Sequence, residues 1–144
     1  MGMVDVSEKP VIQRKAEASG RIVISPDTTK RIRKGEIKKG DPLLVAEIAA
    51  MNAAKQTHIL IPHCHGILLD TVRVSFEILE GCIDAFCFVS SRARTGVEME
   101  ALVGVSIALN TIWDMVKYLE KDEEGQYPTT RITDIRINRK EKVS

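Results

Sequence analysis

Apolar and polar residues change their period several times along the chain, and each change marks an element. Residues 11–24 end in the β-branched run Ile22, Val23, Ile24 and stop at Ser25-Pro26-Asp27, which predicts a strand followed by a helix start. The Ser25 hydroxyl suits the free N–H groups of a first helical turn, and Pro26 suits the first helical position, where its missing N–H costs nothing. A short helix to about Lys34, closed by Gly35, follows from that start. Asp41-Pro42 repeats the signal ahead of Leu44, Ile48 and Met51 at helical spacing, predicting a second helix from 42 to about 57. The next segment, HILIPHCHGILLD at 58–70, contains Pro62 and Gly66, has no clean period and reads as a loop.

Over 71–79, Val72, Val74, Phe76 and Ile78 alternate with Arg73, Ser75 and Glu77, the period of a half-buried strand. Glu80-Gly81 turns the chain, and 82–90 is apolar at nearly every position, as expected of a central strand covered on both faces. The longest predicted element is a helix over 97–121, where Leu102, Val105, Leu109, Ile112, Val116 and Leu119 form one stripe. At ~1.5–3 kcal/mol each for full burial, that stripe is a large part of the driving force that seats the helix on the sheet. A charged break, KDEEGQYP, separates it from a strand over 132–137, and Arg139, Lys140 and Lys142 then form a basic tail. The order strand, helices, strand, strand, helix, strand predicts an α+β fold. Specifically, it is the ferredoxin-like antiparallel sheet with helices on one face and one extra early helix. A single domain over 1–144 is expected, with an extended N-terminal arm at 1–10 and the basic tail at 139–144.

Composition narrows the class. The chain has 144 residues, 44% of them hydrophobic, enough for one real core. Its 21 Lys and Arg balance 20 Asp and Glu, so no global charge draws it to nucleic acid, and local clusters must carry any phosphate recognition. Three cysteines, Cys64, Cys82 and Cys87, are an odd number that suits a reducing cytoplasm. No run of ~20 apolar residues is visible, so neither a membrane span nor membrane association is expected.

The long helix carries a second stripe. At ~100° per residue, Glu100, Val103, Ile107, Asn110, Asp114 and Lys117 share a face roughly opposite the core stripe. The plain alternative is a solvated face with an Asp114–Lys117 pair, but Val103 and Ile107 are apolar, which points to a covered face where a carboxylate and an ammonium can exchange protons. Ahead of the helix, Arg92, Arg94 and Gly96 lead into its N-terminus, a place that can hold a phosphate; Thr95 with Glu98 three residues on can equally be a capping box. His58, His63, Cys64 and His65 are metal-ligand types, yet consecutive residues converge poorly on one tetrahedral ion and no CxxC or HExxH spacing completes a set, so no metal is expected. Lys38, Lys39 and Lys55 read by default as solvated lysines.

Lys39-Gly40-Asp41, KQTHILIPHCHG at 55–66, RTGVEMEAL at 94–102, TIWDMVK at 111–117 and MVDVS at 3–7 together resemble the MoaC family of cyclic pyranopterin monophosphate synthases, in one order over nearly the whole chain. The resemblance implies a catalytic aspartate at Asp114 and an essential lysine at Lys117. It also implies substrate contacts from His63, Cys64 and His65, from Met99 and Glu100, and from Glu98 and Lys39. Lys39 and Arg94 are candidates for the triphosphate, and Lys140 for one phosphate contact. The implied reaction converts 3′,8-cyclo-7,8-dihydro-GTP to cyclic pyranopterin monophosphate with loss of diphosphate. It needs no cofactor and runs in a cytoplasmic homohexamer, a trimer of dimers with sites between subunits.

Two departures stand out. The family's Leu-Cys-His-Pro is His63-Cys64-His65-Gly66 here, and its glycine-rich Lys-Ser-Gly-Gly-Lys run is replaced by Arg139-Lys140-Glu141-Lys142. Ferredoxin-like domains also serve as RNA-binding modules, and Phe86 and Phe88 have the spacing of one strand face. Six aromatic residues and near-neutral charge argue against that use.

Overall fold

The computed structural model describes residues 1–144. Its elements are β1 (Ile12–Val23), α1 (Pro26–Lys34), α2 (Pro42–Lys55), α3 (Thr57–Leu60), β2 (Thr71–Leu79), β3 (Cys82–Ala93), α4 (Glu98–Glu120) and β4 (Arg131–Val143). The four strands form one antiparallel sheet in the order β2-β3-β1-β4, the ferredoxin-like arrangement that the element order predicts.

The local signals act as their chemistry demands. Ser25 accepts the N–H of Thr28 at the start of α1, and Gly35 ends that helix in the left-handed region at φ 72°. Asp41 accepts from the N–H groups of Leu43 and Leu44 at the start of α2. The segment expected as a loop after α2 begins instead with the single turn α3, because the Thr57 carbonyl accepts from Ile61 and so closes one more turn before Pro62.

Side chains alternate across the sheet. Ala16, Ala18 and Ile22 of β1 and Ile83, Ala85, Cys87 and Val89 of β3 are buried against the helices. The opposite face is open, so β3 is central but covered on one side only. Its apolar outward residues Phe86 and Phe88 are half-exposed, and the guanidinium of Arg73 lies over the Phe88 ring, 4.4 Å from its centroid.

Helix α2 forms where the spacing predicts it, but the large apolar residues that mark it do not face the core. Leu44 and Ile48 remain more than half exposed, while Ala46, Ala50, Ala53 and Ala54 are buried. The reason is the closeness of α4. A Cβ added at Gly104 would lie 2.7 Å from the Cys87 sulfur and 3.4 Å from the Ala50 carbonyl, so only small side chains fit between the two helices. Helix α4 is also apolar and long enough to cross a bilayer by length and composition, with a mean hydropathy of 1.3, which the sequence reading did not register. Its buried residues here include Val105, Leu109, Ile112 and Val116, which fill the core above the sheet.

Strand β4 runs well beyond 132–137. Two register shifts against β1, after Glu17 and after Ser19, let pairing continue to Val143, so Arg139, Lys140 and Lys142 belong to an edge strand instead of a free tail. The end of α4 is locked to this framework by Glu120. Its buried carboxylate accepts the backbone N–H of Ser25 at 3.1 Å and the hydroxyls of Thr28 and Thr130, joining the α1 cap to the entry of β4. Hydrogen bonds to a charged group contribute ~1.5–3 kcal/mol, and removing the acceptor strands buried donors. Glu120→Ala is expected to cost ~3 kcal/mol and to lower the melting midpoint by about 10 °C, checked by circular dichroism at matched protein concentration.

Candidate functional site

Two groups of polar side chains form at opposite ends of α4. The first surrounds its N-terminus. Val97 occupies the cap position without a side-chain hydrogen bond, so of the two readings of this segment the capping box of Thr95 with Glu98 does not form. The approach is held by Arg14, which is 4% exposed and donates from Nε to the Ala93 carbonyl at 3.3 Å and from Nη2 to the Arg94 carbonyl at 3.1 Å. The sequence reading missed Arg14. Its signal was parity, a charged residue in the inward register of a strand whose next inward residues are Ala16 and Ala18.

Glu100, expected on the outward stripe, is only 2% exposed. The Cys64 thiol donates to its Oε2 at 3.8 Å, and its Oε1 is buried with no partner. Burial, with a smaller contribution from nearby Glu98, raises the Glu100 carboxyl above the usual carboxylate range. Burial and the adjacent carboxylate likewise raise the Cys64 thiol. Glu98 pairs with Lys140 of β4 at 3.7 Å. His65 places Nε2 2.7 Å from the Val4 carbonyl of the N-terminal arm. Together with Val6, Arg92, Arg94 and Thr95 it lines a cavity of about 350 Å³. Gly66 lies against the His58 ring, while His63 and Met99 are exposed beside this group. No three His, Cys, Asp or Glu side chains converge as a metal-ligand cluster.

The second group lies toward the C-terminal end of α4. Asp114 Oδ1 meets Lys117 Nζ at 3.0 Å, one helical turn on, and Asp114 Oδ2 meets Lys39 Nζ at 3.0 Å. Lys39 comes from the turn between α1 and α2 and also donates to the Asp114 carbonyl at 3.3 Å. Sequence reading paired Asp114 with Lys117; the second ammonium arrives only through the tertiary fold. Hydrogen bonds from Lys39 and then Lys117 hold the Asp114 carboxyl below the usual range, and the bond to Asp114 raises the Lys117 ammonium. The Asp114 side chain is 56% exposed and that of Lys117 41%, so solvent screens these pairs and they add little to stability.

The contribution of ionised Asp114 is present above the ordinary carboxylate range and is lost as pH falls through its lowered value. That of the Lys117 ammonium is present below the ordinary lysine range and is lost as pH rises through its raised value. In Asp114→Asn, the Lys117 titration should move to lower pH, since the anion is gone and the Lys39 cation remains. The ¹³Cε shift of Lys117 followed against pH checks this; an unmoved titration means that the contact does not set its charge.

Glu100 and Asp114 are separated by 14 positions, about 21 Å along the helix axis. One chain therefore brings together Lys39, Asp114 and Lys117 at one end, and Cys64, His65, Arg94, Glu98, Glu100 and Lys140 at the other. It does not bring Lys39 and Arg94 together, although the sequence reading assigned both to one triphosphate.

The sequence model of the MoaC family matches residues 3–142. A probable cyclic pyranopterin monophosphate synthase of Pyrococcus abyssi is 55% identical over 135 residues, covering 94% of this chain and 85% of that protein. One of Thermococcus kodakarensis is 54% identical over 140 residues, covering 97% and 90%. A Methanothermobacter thermautotrophicus protein, named a probable cyclic pyranopterin monophosphate synthase accessory protein, is 50% identical over 141 residues, covering 98% and 89%. With a match over nearly its whole length and relatives above half identity, the chain belongs to the MoaC family.

Proposed function

We propose that the protein converts 3′,8-cyclo-7,8-dihydro-GTP to cyclic pyranopterin monophosphate and diphosphate by general acid–base catalysis. As a MoaC-family member it is an enzyme of molybdenum-cofactor biosynthesis. The observation that carries the finer reading is the Asp114 carboxylate held between the ammonium groups of Lys39 and Lys117. The reaction rearranges a ring system and closes a cyclic phosphate, in which a substrate hydroxyl bonds to the α-phosphorus while the bond to the departing diphosphate breaks. The hydroxyl proton must be accepted and the developing phosphate charge stabilised. Lys117 donates and accepts protons, and Asp114 orients it and sets its charge. Lys39 and Arg94 hold the triphosphate and Lys140 supplies one phosphate contact. Glu98, Glu100 and His65, with His63, Cys64 and Met99 beside them, hold the guanine-derived rings.

The separation of about 21 Å between the two groups is too great for one small substrate to bridge within one chain. Two subunits that place one chain's Lys39–Asp114–Lys117 end against the other's His65–Glu98–Glu100 end complete the site. Exposed Leu44, Ile48, Ile59 and Leu60 supply apolar surface for such contacts. The arrangement is that of a symmetric homo-oligomer, a hexamer built as a trimer of dimers.

Incubation with the cyclised GTP derivative tests the activity. Diphosphate and a pterin product should form in equal amounts without an added cofactor. A full-length, folded protein that releases no diphosphate from that substrate overturns the reading.

A further inference from the structure

Cation and carboxylate chemistry occupies only part of the wall around Lys117. The cavity of about 370 Å³ at this end of α4 is lined by Asn110, Trp113, Asp114, Lys117 and Tyr127. Trp113 is the chain's single tryptophan. It lies one position before the aspartate, and its ring meets that of Tyr127 edge-on, with centroids 5.3 Å apart and planes at 70°.

Tyr127 reaches this position through a built turn, in the segment that reads in sequence as an exposed charged break. Asp122 accepts the N–H groups of Glu124 and Gln126 on its carboxylate, each at 2.9 Å, and its own N–H donates to the Gln126 carbonyl at 2.9 Å. Gly125 closes the turn in the left-handed region at φ 77° and donates to the Asp122 carbonyl at 3.1 Å. Pro128 restricts the backbone of the residue before it, which is Tyr127. The turn therefore folds the chain back along α4 and presents an aromatic ring beside Lys117.

We propose that Trp113 and Tyr127 form a ring-binding wall, which holds the planar aminopyrimidinone portion of a purine-derived substrate by its face while Lys117 and Asp114 act at its edge. This rests on the functional reading above and adds to it the residues that meet the face of the heterocycle, whose polar edge Glu98, Glu100 and His65 of the facing subunit take. Aromatic faces bind any planar base by stacking, whereas the charged residues nearby recognise phosphate and protons. The wall thus supplies a stacking contact beside Lys39, Asp114 and Lys117, none of which carries a ring.

Fluorescence of Trp113 reads this cavity directly, because no other tryptophan contributes. GTP, which carries the ring but not the cyclised bond, should change the emission saturably, and inorganic triphosphate, which lacks the ring, should not. Tyr127→Ala should weaken GTP binding about tenfold and place its loss of turnover on KM more than on kcat, while Tyr127→Phe, keeping the ring, restores binding. An equal response to inorganic triphosphate, or wild-type GTP affinity in Tyr127→Ala, overturns the wall. If the wild-type protein releases no diphosphate from the cyclised GTP derivative, the parent reading fails, and the GTP titration still decides the wall.

Discussion

Replacing Lys117 by alanine is expected to lower turnover ~10²–10⁴-fold, the usual effect of removing a positioned proton-transfer group, with no loss of fold. Asp114→Ala should do the same by a different route. It removes the anion that both ammonium groups share, leaving Lys39 and Lys117 in mutual repulsion and Lys117 without its orienting partner. Neither side chain enters the core, whose α4 residues include Val105, Leu109, Ile112 and Val116, so circular dichroism and melting should match the parent protein. Diphosphate release at saturating substrate is the measurement. A variant that turns over at a near-normal rate has lost nothing catalytic, and the proton-transfer role of that residue must then be abandoned.

The second large effect is a recovery. His65→Ala and Lys117→Ala chains, each expected to be inactive alone, should regain activity when unfolded and refolded together. At a two-fold interface that places His65 of one chain against Lys117 of the other, a mixed dimer has one site carrying both changes and one carrying neither. Random mixing makes half the dimers mixed, so roughly a quarter of the sites are intact and activity should approach that fraction. Native mass spectrometry establishes that mixed assemblies are present. Mixed oligomers that stay inactive while both parents fold would mean that the two residues serve the same subunit's site, and the assembly drawn from the length of α4 would be wrong.

Which parts of this protein its sequence determines, and which only its tertiary structure decides, follows from how local each constraint is. Caps at Ser25 and Asp41, the alternation of β2 and the stripe of α4 are set by neighbours within a few residues, so they are legible along the chain and suffice for the α+β element order. The Asp114–Lys117 pair is legible for the same reason, being one helical turn apart. Four features are not local. The face of α2 that is buried depends on the narrow gap at Gly104 of α4, which favours alanines over Leu44 and Ile48. The length of β4 depends on register shifts against β1, and these convert an apparent basic tail into strand. Burial of Glu100 depends on the 57–66 segment folding over it, which takes it off the outward stripe that helical spacing alone assigned. Lys39 reaches Asp114 across 75 positions, a contact that no periodicity encodes. Sequence period reports which residues share a face, but what lies opposite that face is set by packing between distant segments, and the second ammonium and the buried carboxyl both come from that packing.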